Sequence, residues 1–293
     1  MILRKSDRVL VWGITGKQAT FWTERMIAAG TRVVGGVNPA RAGTTHLGLP
    51  VHARGVDADG VDIALLFVPP AAALAATTDA FAAGARVVVV LTEHIPLHDV
   101  MAMHAHAARA GARIVGPNTA GIVTPGDGFA GIMPAFNDRV FRPGGIGVVS
   151  RSGSLGTLIC LNLVAAGFGQ SAFIGIGGDP LPGTSSAEAV TALAEDPRTE
   201  AIVLVGEIGG DLEQRAAAVA GTLAKPVVAF VAGRAAPPER RMGHAGAIVT
   251  GGETGWEAKA AVLEAAGVAV AETPAQVPAL LRARVAPRVS PQS

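Results

Sequence analysis

Short, unbroken apolar runs alternate with Ala-rich segments of helical length along the whole chain, and no other feature restricts the possible folds so strongly. The first half reads "RVLVWG", "ATFWTERMIAAG", "TRVVGGV", a loop, "DIALLFVP", "AAALAATTDAFAAG", "ARVVVVLT", "VMAMHAHAARAG" and "ARIVGP". Strands without polar alternation are buried on both faces, so the pattern predicts parallel sheets with helices on each side. The rhythm restarts with "GIGVVS" and continues through "SLGTLICLNLVAAG", "SAFIGIG", "AIVLVGE" and "PVVAFVAG" to the strand "VAVAE" and a last helix in "PAQVPALLRARV". Between the halves, "NDRVFRPGG" interrupts the period with Pro143 and two glycines. The expectation is an α/β protein of two units, a Rossmann-like domain over residues 1–143 and a flavodoxin-like parallel-sheet domain over residues 144–293, with a frayed tail "APRVSPQS".

Charge excludes several function classes. With 24 Lys plus Arg against 23 Asp plus Glu, the net charge is +1, so no bulk field favours nucleic acid or an anionic membrane. Any anionic ligand must be held locally. The single Cys160 rules out an internal disulfide framework and fits a reducing compartment. The start "MILRKSDRVLVWGITG" lacks the apolar core and cleavage site of a signal peptide, and Gly, Pro or charge breaks every long apolar stretch, so the expected location is cytoplasmic.

In open parallel sheets, ligands collect beyond the carboxyl ends of the strands, and the unusual segments lie there. "GITGKQAT" (Gly13 to Thr20) joins the first strand to a helix, where free amides and the helix dipole suit a phosphate. A helix cap with no ligand would use the same residues. The second strand ends in "VVGGVNPARAG", with Asn38 and Arg41 but no acid, which argues against the ribose contact of an NAD-dependent oxidoreductase. "FVPP", "LTEHIP" and "GPNTAG" end the next strands and could wall a groove for a long nucleotide-like ligand. His94, His98, His104 and His106 do not make a metal site, because Pro96 interrupts the helix and His104 and His106 point to different faces.

In the second half, "VVSRSGSLG" repeats the strand, turn and helix start, with Ser152, Gly153 and Ser154 suited equally to an anion or to capping. "LVGEIGG" ends a buried strand in Glu207, placed to fix the tautomer of a histidine. His244 in "RRMGHAGAIV" is flanked by small residues, as a mobile nucleophile would require, although a loop histidine taken alone usually has no such role.

Taken together, "GGVNPARAGTTHLGLPV", "GPNTAG", "VVSRSGSLG", "GFGQSAFIGIGGDPLPG", "TEAIVLVGEIGG" and "RRMGHAGAIV" resemble, in order, the motifs of succinyl-CoA synthetase α subunits, over roughly residues 5 to 283. The resemblance implies a ligase that joins CoA to a small dicarboxylic acid through an acyl phosphate and a phosphohistidine. His244 resembles the phosphorylated residue, Glu207 its orienting acid, and Ser152, Gly153 and Ser154 the helix start that receives the phosphoryl group. Thr15, Gly16, Lys17, Gln18, Val37, Pro39, Arg41, Val68, Pro69, Thr92, Glu93 and Asn118 fall on segments that hold CoA in that family. ATP or GTP with Mg²⁺ is expected on a β subunit of ATP-grasp fold, in an αβ or α2β2 assembly.

Departures from the family pattern concern the substrate. Arg41 stands where Lys is usual, Trp22 where His is usual, and His94 where Gly is usual. Thr119 and Ala120 replace Cys and Pro in the expected acid pocket; relatives acting on malate share Ala at the second of these positions. A malate–CoA ligase or another short-dicarboxylate ligase is therefore the alternative to succinate. A CoA-binding module without catalysis is the remaining rival, and the intact "MGHAG", "GEIGG" and "SRSGS" speak against it.

Overall fold

The computed structural model of the protein describes residues 1–237, 243–249 and 251–287. Arg240, Arg241 and Met242, at the head of the histidine motif, and most of the expected frayed tail lie outside the described residues.

The first sheet is built from β1 (Val9–Trp12), β2 (Val33–Val37), β3 (Thr45–His46), β4 (Leu49–His52), β5 (Ile63–Leu66), β6 (Val87–Val90) and β7 (Arg113–Val115), in spatial order β3-β4-β2-β1-β5-β6-β7. Leaving out β3, which pairs antiparallel with β4, the six parallel strands have the dinucleotide-fold order with its reversal beside β1. Helices α1 (Lys17–Ala28), α2 (Pro70–Ala82) and α3 (Leu97–Ala110) supply the crossovers. Alternate residues explain why both faces are covered. Val9, Val11, Ile63, Leu65, Val87 and Val89 enter one core, whereas Leu10, Trp12, Ala64, Leu66, Val88 and Val90 pack in the other.

The second sheet combines β8 (Gly121–Thr124), β9 (Gly128–Gly131), β10 (Pro143–Ser150), β11 (Gln170–Gly175), β12 (Ala201–Glu207), β13 (Val227–Ala232) and β14 (Ala269–Ala271), ordered β14-β13-β12-β10-β11-β8-β9. Its five parallel strands have the flavodoxin order. Around them lie α4 (Gly153–Ala165), α5 (Ser186–Glu195), α6 (Leu212–Ala220), α7 (Trp256–Ala265) and α8 (Val277–Arg282). Ser185 and Glu188 close a capping box at the start of α5, the kind of arrangement that adds about 1 kcal/mol to a helix.

One correction to the purely parallel expectation is the hairpin β8–β9, which extends the second sheet antiparallel to β11. It is short and Gly-bounded, and its pairing needs glycine: Gly121 has φ 103°, and a Cβ there would overlap the Ala130 carbonyl. Thr31, in the loop before β2, binds the hairpin through its hydroxyl, donating to Phe129 O at 2.8 Å and accepting from Phe129 N at 2.9 Å. One hydrophobic core runs from Met26 and Val115 through Phe129 to Val148 and Leu204, so the two sheets are packed together rather than tethered. No helix among the described residues is long and apolar enough to cross a membrane.

Candidate functional site

The turn after β1 is shaped by Gly13, at φ 76°, where a Cβ would overlap Phe67 O. Only glycine lets the two strand ends come this close. Two adjoining cavities open there, about 490 and 430 Å³, both reaching Gly13, Phe67 and Val68. The first gathers Gly16, Lys17, Gln18, Thr92 and Glu93, and the second Val37, Pro39 and Pro69. Together they form a groove across the strand-order reversal. Lys17 and Gln18 open α1, whose N-cap Gly16 makes no side-chain capping bond, so its first amides remain available to an anion.

Thr15 lines neither cavity; its hydroxyl accepts from Asn38 Nδ2 at 2.5 Å, while Asn38 Oδ1 caps the 3₁₀ turn Pro39–Arg41. Arg41 ends that turn exposed and lines neither cavity. Asn118 is also outside both, but it connects the groove to the second sheet. Its N–H donates to Thr92 O at 2.9 Å and its carbonyl accepts from Gly178 N at 3.3 Å.

The second constellation forms where α4 begins. Ser152, Ser154, Glu207 and His244 line a cavity of about 360 Å³. The Ser152 hydroxyl accepts from Leu155 N at 3.3 Å and lies 3.3 Å from the Ser154 hydroxyl, leaving the amides of Gly153 and Ser154 at the helix N-terminus. His244 Nδ1 lies 2.7 Å from Glu207 Oε2, and the carboxylate is buried at the carboxyl end of β12. The hydrogen bond to Glu207 holds the imidazole above its ordinary 6.5, against burial, which pulls it down. The pair therefore contributes stability that is full below about pH 6.5 and is lost as pH rises through the higher folded value.

Thr119 and Ala120 also belong to this neighbourhood. Buried Thr119 donates its hydroxyl to Gly175 O and accepts from Gly121 N at 2.9 Å. Ala120 faces the start of α4 so closely that a Cβ on Gly153 would come within 2.8 Å of its own Cβ. Gly178 and Arg151 were overlooked as functional residues, although both stand inside quoted motifs. A Cβ on Gly178 would overlap the imidazole at Cγ, and Arg151 Nη2 lies 3.2 Å from Glu207 Oε1. Gly178→Ala should push the ring off Glu207 and return its titration towards 6.5, which NMR of the histidine ring would report. An unmoved titration would show that the loop absorbs the methyl group.

Elsewhere, His106 Nδ1 lies 3.1 Å from Thr78 Oγ1, and no group of three or more His, Cys, Asp or Glu residues is placed to hold a metal ion among the described residues.

The groove on the dinucleotide-type sheet and the His244–Glu207 pair on the second sheet fall in two domains that mark the chain as a CoA-dependent ligase. Residues 4–94 match the CoA binding domain and residues 149–269 the CoA-ligase domain. The chain belongs to the succinate–CoA ligase α-subunit family. It is 46% identical over 276 residues to the ADP-forming succinate–CoA ligase subunit alpha 1 of Archaeoglobus fulgidus, covering 93% of this chain and 94% of that one. The malate–CoA ligase subunit alpha of Methylorubrum extorquens is 40% identical, covering 94% of each chain. Among solved structures, ATP citrate lyase of Methanosaeta concilii in complex with (3S)-citryl-CoA superposes with a TM-score of 0.84 at 24% identity, a likeness of fold. It covers 100% of this chain, which spans 54% of that longer one.

Proposed function

We infer that this chain is the α subunit of a nucleoside-triphosphate-dependent ligase joining CoA to a short dicarboxylic acid, with His244 as the phosphoryl carrier. The observation that carries the reading is the 2.7 Å contact between His244 Nδ1 and buried Glu207 beside the start of α4. Glu207 accepts from Nδ1–H and leaves the Nε2 lone pair free to attack phosphorus. The N–P bond forms as the P–O bond to the departing group breaks, and the Gly153 and Ser154 amides with the Ser152 and Ser154 hydroxyls receive the phosphoryl oxygens. The cycle runs through an acyl phosphate, which CoA sulfur attacks to give the thioester and inorganic phosphate.

CoA lies along the groove of the first sheet, its phosphates at Thr15, Gly16, Lys17 and Gln18, with Val37, Pro39, Arg41, Val68, Pro69, Thr92, Glu93 and Asn118 along its length. The unit of residues 1–143, whose last stretch lends the β8–β9 hairpin to the second sheet, is the CoA-binding part, and the unit of residues 144–293 carries the histidine loop. A β subunit of ATP-grasp fold brings ATP or GTP with Mg²⁺, in an αβ or α2β2 complex in the cytoplasm. Succinate is the first acid to consider and malate the alternative, favoured because Ala120 stands where relatives acting on malate also have Ala.

The test incubates the α chain and its β subunit with γ-labelled nucleotide and Mg²⁺, then chases with CoA and succinate, malate or a sulfonated analogue. Acid-labile, base-stable label discharged by one acid plus CoA supports the reading and names the substrate. No label in a folded complex overturns it. Glu207→Gln removes the group that raises the His244 titration, so the acid limb of the labelling rate should move to lower pH. Its plateau should also fall, because the tautomer is no longer fixed; a pH–rate profile reads both effects.

A further inference from the structure

Behind the His244–Glu207 pair lies a chain of buried charges. Glu207 Oε2 faces His244, and its other oxygen, Oε1, is 3.2 Å from Arg151 Nη2. Arg151 Nη1 is 3.7 Å from Glu213 Oε1 and 3.5 Å from Gly209 O. Glu213, on α6, accepts from Glu207 N at 3.1 Å and pairs through Oε2 with Lys259 of α7. Lys259 Nζ also donates to Gly209 O at 2.8 Å. The side chains of Glu213 and Lys259 are fully buried and that of Arg151 is 3% exposed. Four ionised groups so placed are costly unless they compensate one another.

Here they do compensate. Two cations and two anions alternate, so the set is neutral before His244 is counted. We propose that Arg151, anchored through Glu213 to Lys259, is a positioning residue for His244. It stands in ion-pair contact with one oxygen of Glu207, so that the other is presented to Nδ1, and it shares the carboxylate charge, which limits how far Glu207 favours the protonated ring. This deepens the phosphohistidine reading and rests on it for its catalytic meaning.

Among the described residues, the other charges around the ring leave this assignment to Arg151. Glu93, after β6, acts on the imidazole from the first sheet and favours its protonation. Asp179 follows Gly178 on the loop against the ring, and burial raises its own titration. Arg234, beside Gly233 of the cavity, turns away to Glu272 at 3.2 Å and over the Trp256 ring. Ser152 and Ser154 at the start of α4 are uncharged. Arg151 is, among the described residues, the cation that opposes protonation of His244.

The signs make the role testable, because a residue that merely supports the fold has no reason to move a titration in a set direction. Arg151→Met should raise the titration point of His244, read by NMR of ring-labelled histidine in the full chain and assigned with His244→Gln. Arg151→Lys, which keeps the charge but not the two-pronged fork, should return it towards the parent value. Glu207→Gln should move it the opposite way. In the complex with the β subunit, the labelling rate of Arg151→Met at about pH 6 should fall on the order of tenfold, with CoA affinity unchanged at its separate groove.

A folded Arg151→Met chain whose His244 titrates as in the parent, or lower, overturns the proposal. Should that variant fail to fold, Arg151→Gln, which keeps a donor without the charge, carries the same test. If the parent complex takes no label while Arg151→Met still raises the titration, the ligase reading fails and the positioning role stands.

Discussion

Replacing His244 with alanine is expected to abolish phosphoryl labelling of the chain and to reduce turnover by roughly 10⁴-fold or more, the scale of losing a nucleophile that no neighbour can replace. Among the described residues, no other imidazole lines the cavity at the start of α4. The serines there are unsuited as substitutes. Ser152 is engaged with Leu155 N, and among the described residues neither hydroxyl has a general base of its own beyond the Glu207 side chain. CoA binding should persist in the variant, because its groove lies on the first sheet. Label retained in His244→Ala at the parental level would move the phosphoryl carrier elsewhere and leave the groove as the only functional site in this chain.

The largest stability effect is expected at Lys259. Replacing it with methionine leaves fully buried Glu213 with only the longer Arg151 contact, 3.7 Å, in place of its close cation, and breaking a buried pair from one side typically costs about 3–5 kcal/mol. For a chain of this size that corresponds to a drop in melting temperature of roughly 10 °C. The double variant Lys259→Met/Glu213→Gln removes both charges and should recover a large part of the loss, since the penalty comes from the stranded carboxylate more than from the missing attraction. Calorimetry of the two variants beside the parent decides this. Equal destabilisation in both would mean that the Lys259 bond to Gly209 O, rather than the ion pair, holds the loop after β12.

The two predictions meet in one segment. Glu207 ends β12 and Gly209 follows two residues later, at φ 87°, with its carbonyl held by Lys259 and approached by Arg151. A strained, Gly-dependent turn is thus tied down by charges from α6, α7 and the strand end of β10, and the histidine loop rests against it. A Cβ on Gly209 would overlap Gly246 O, two residues beyond His244. The backbone itself is part of the mould.

The chain's strand periodicity was legible because each strand is covered on both faces, so that nearly every residue in it is apolar. The hairpin β8–β9 was not, since "GIVT" and "GFAG" are too short to show a period and its glycines answer a close backbone approach visible only in three dimensions. Thr15, Lys17, Thr92, Glu207 and His244 could be proposed from the sequence because each sits in a motif that resembles the family's, and all but His244 follow the end of a strand or close it. Glu213 and Lys259 could not. They occupy ordinary helical positions in "DLEQRAAAV" and "WEAKAAVL", where a charged residue is by default solvated, and only the packing of α6 and α7 against the strand end turns them inward.

By itself, the sequence determined the two parallel sheets, the Gly-shaped turn at the start of α1, and the presence of a histidine and an acid in recognisable motifs. All of these follow from local rules: the covering of strands, the freedom of glycine and the exposed amides of a helix start. Tertiary structure alone decided that Glu207 meets His244, that Gly178 leaves space for the ring, and that Arg151, Glu213 and Lys259 stand behind them. Those contacts join residues far apart in the chain, and their strength depends on burial, which no local pattern encodes.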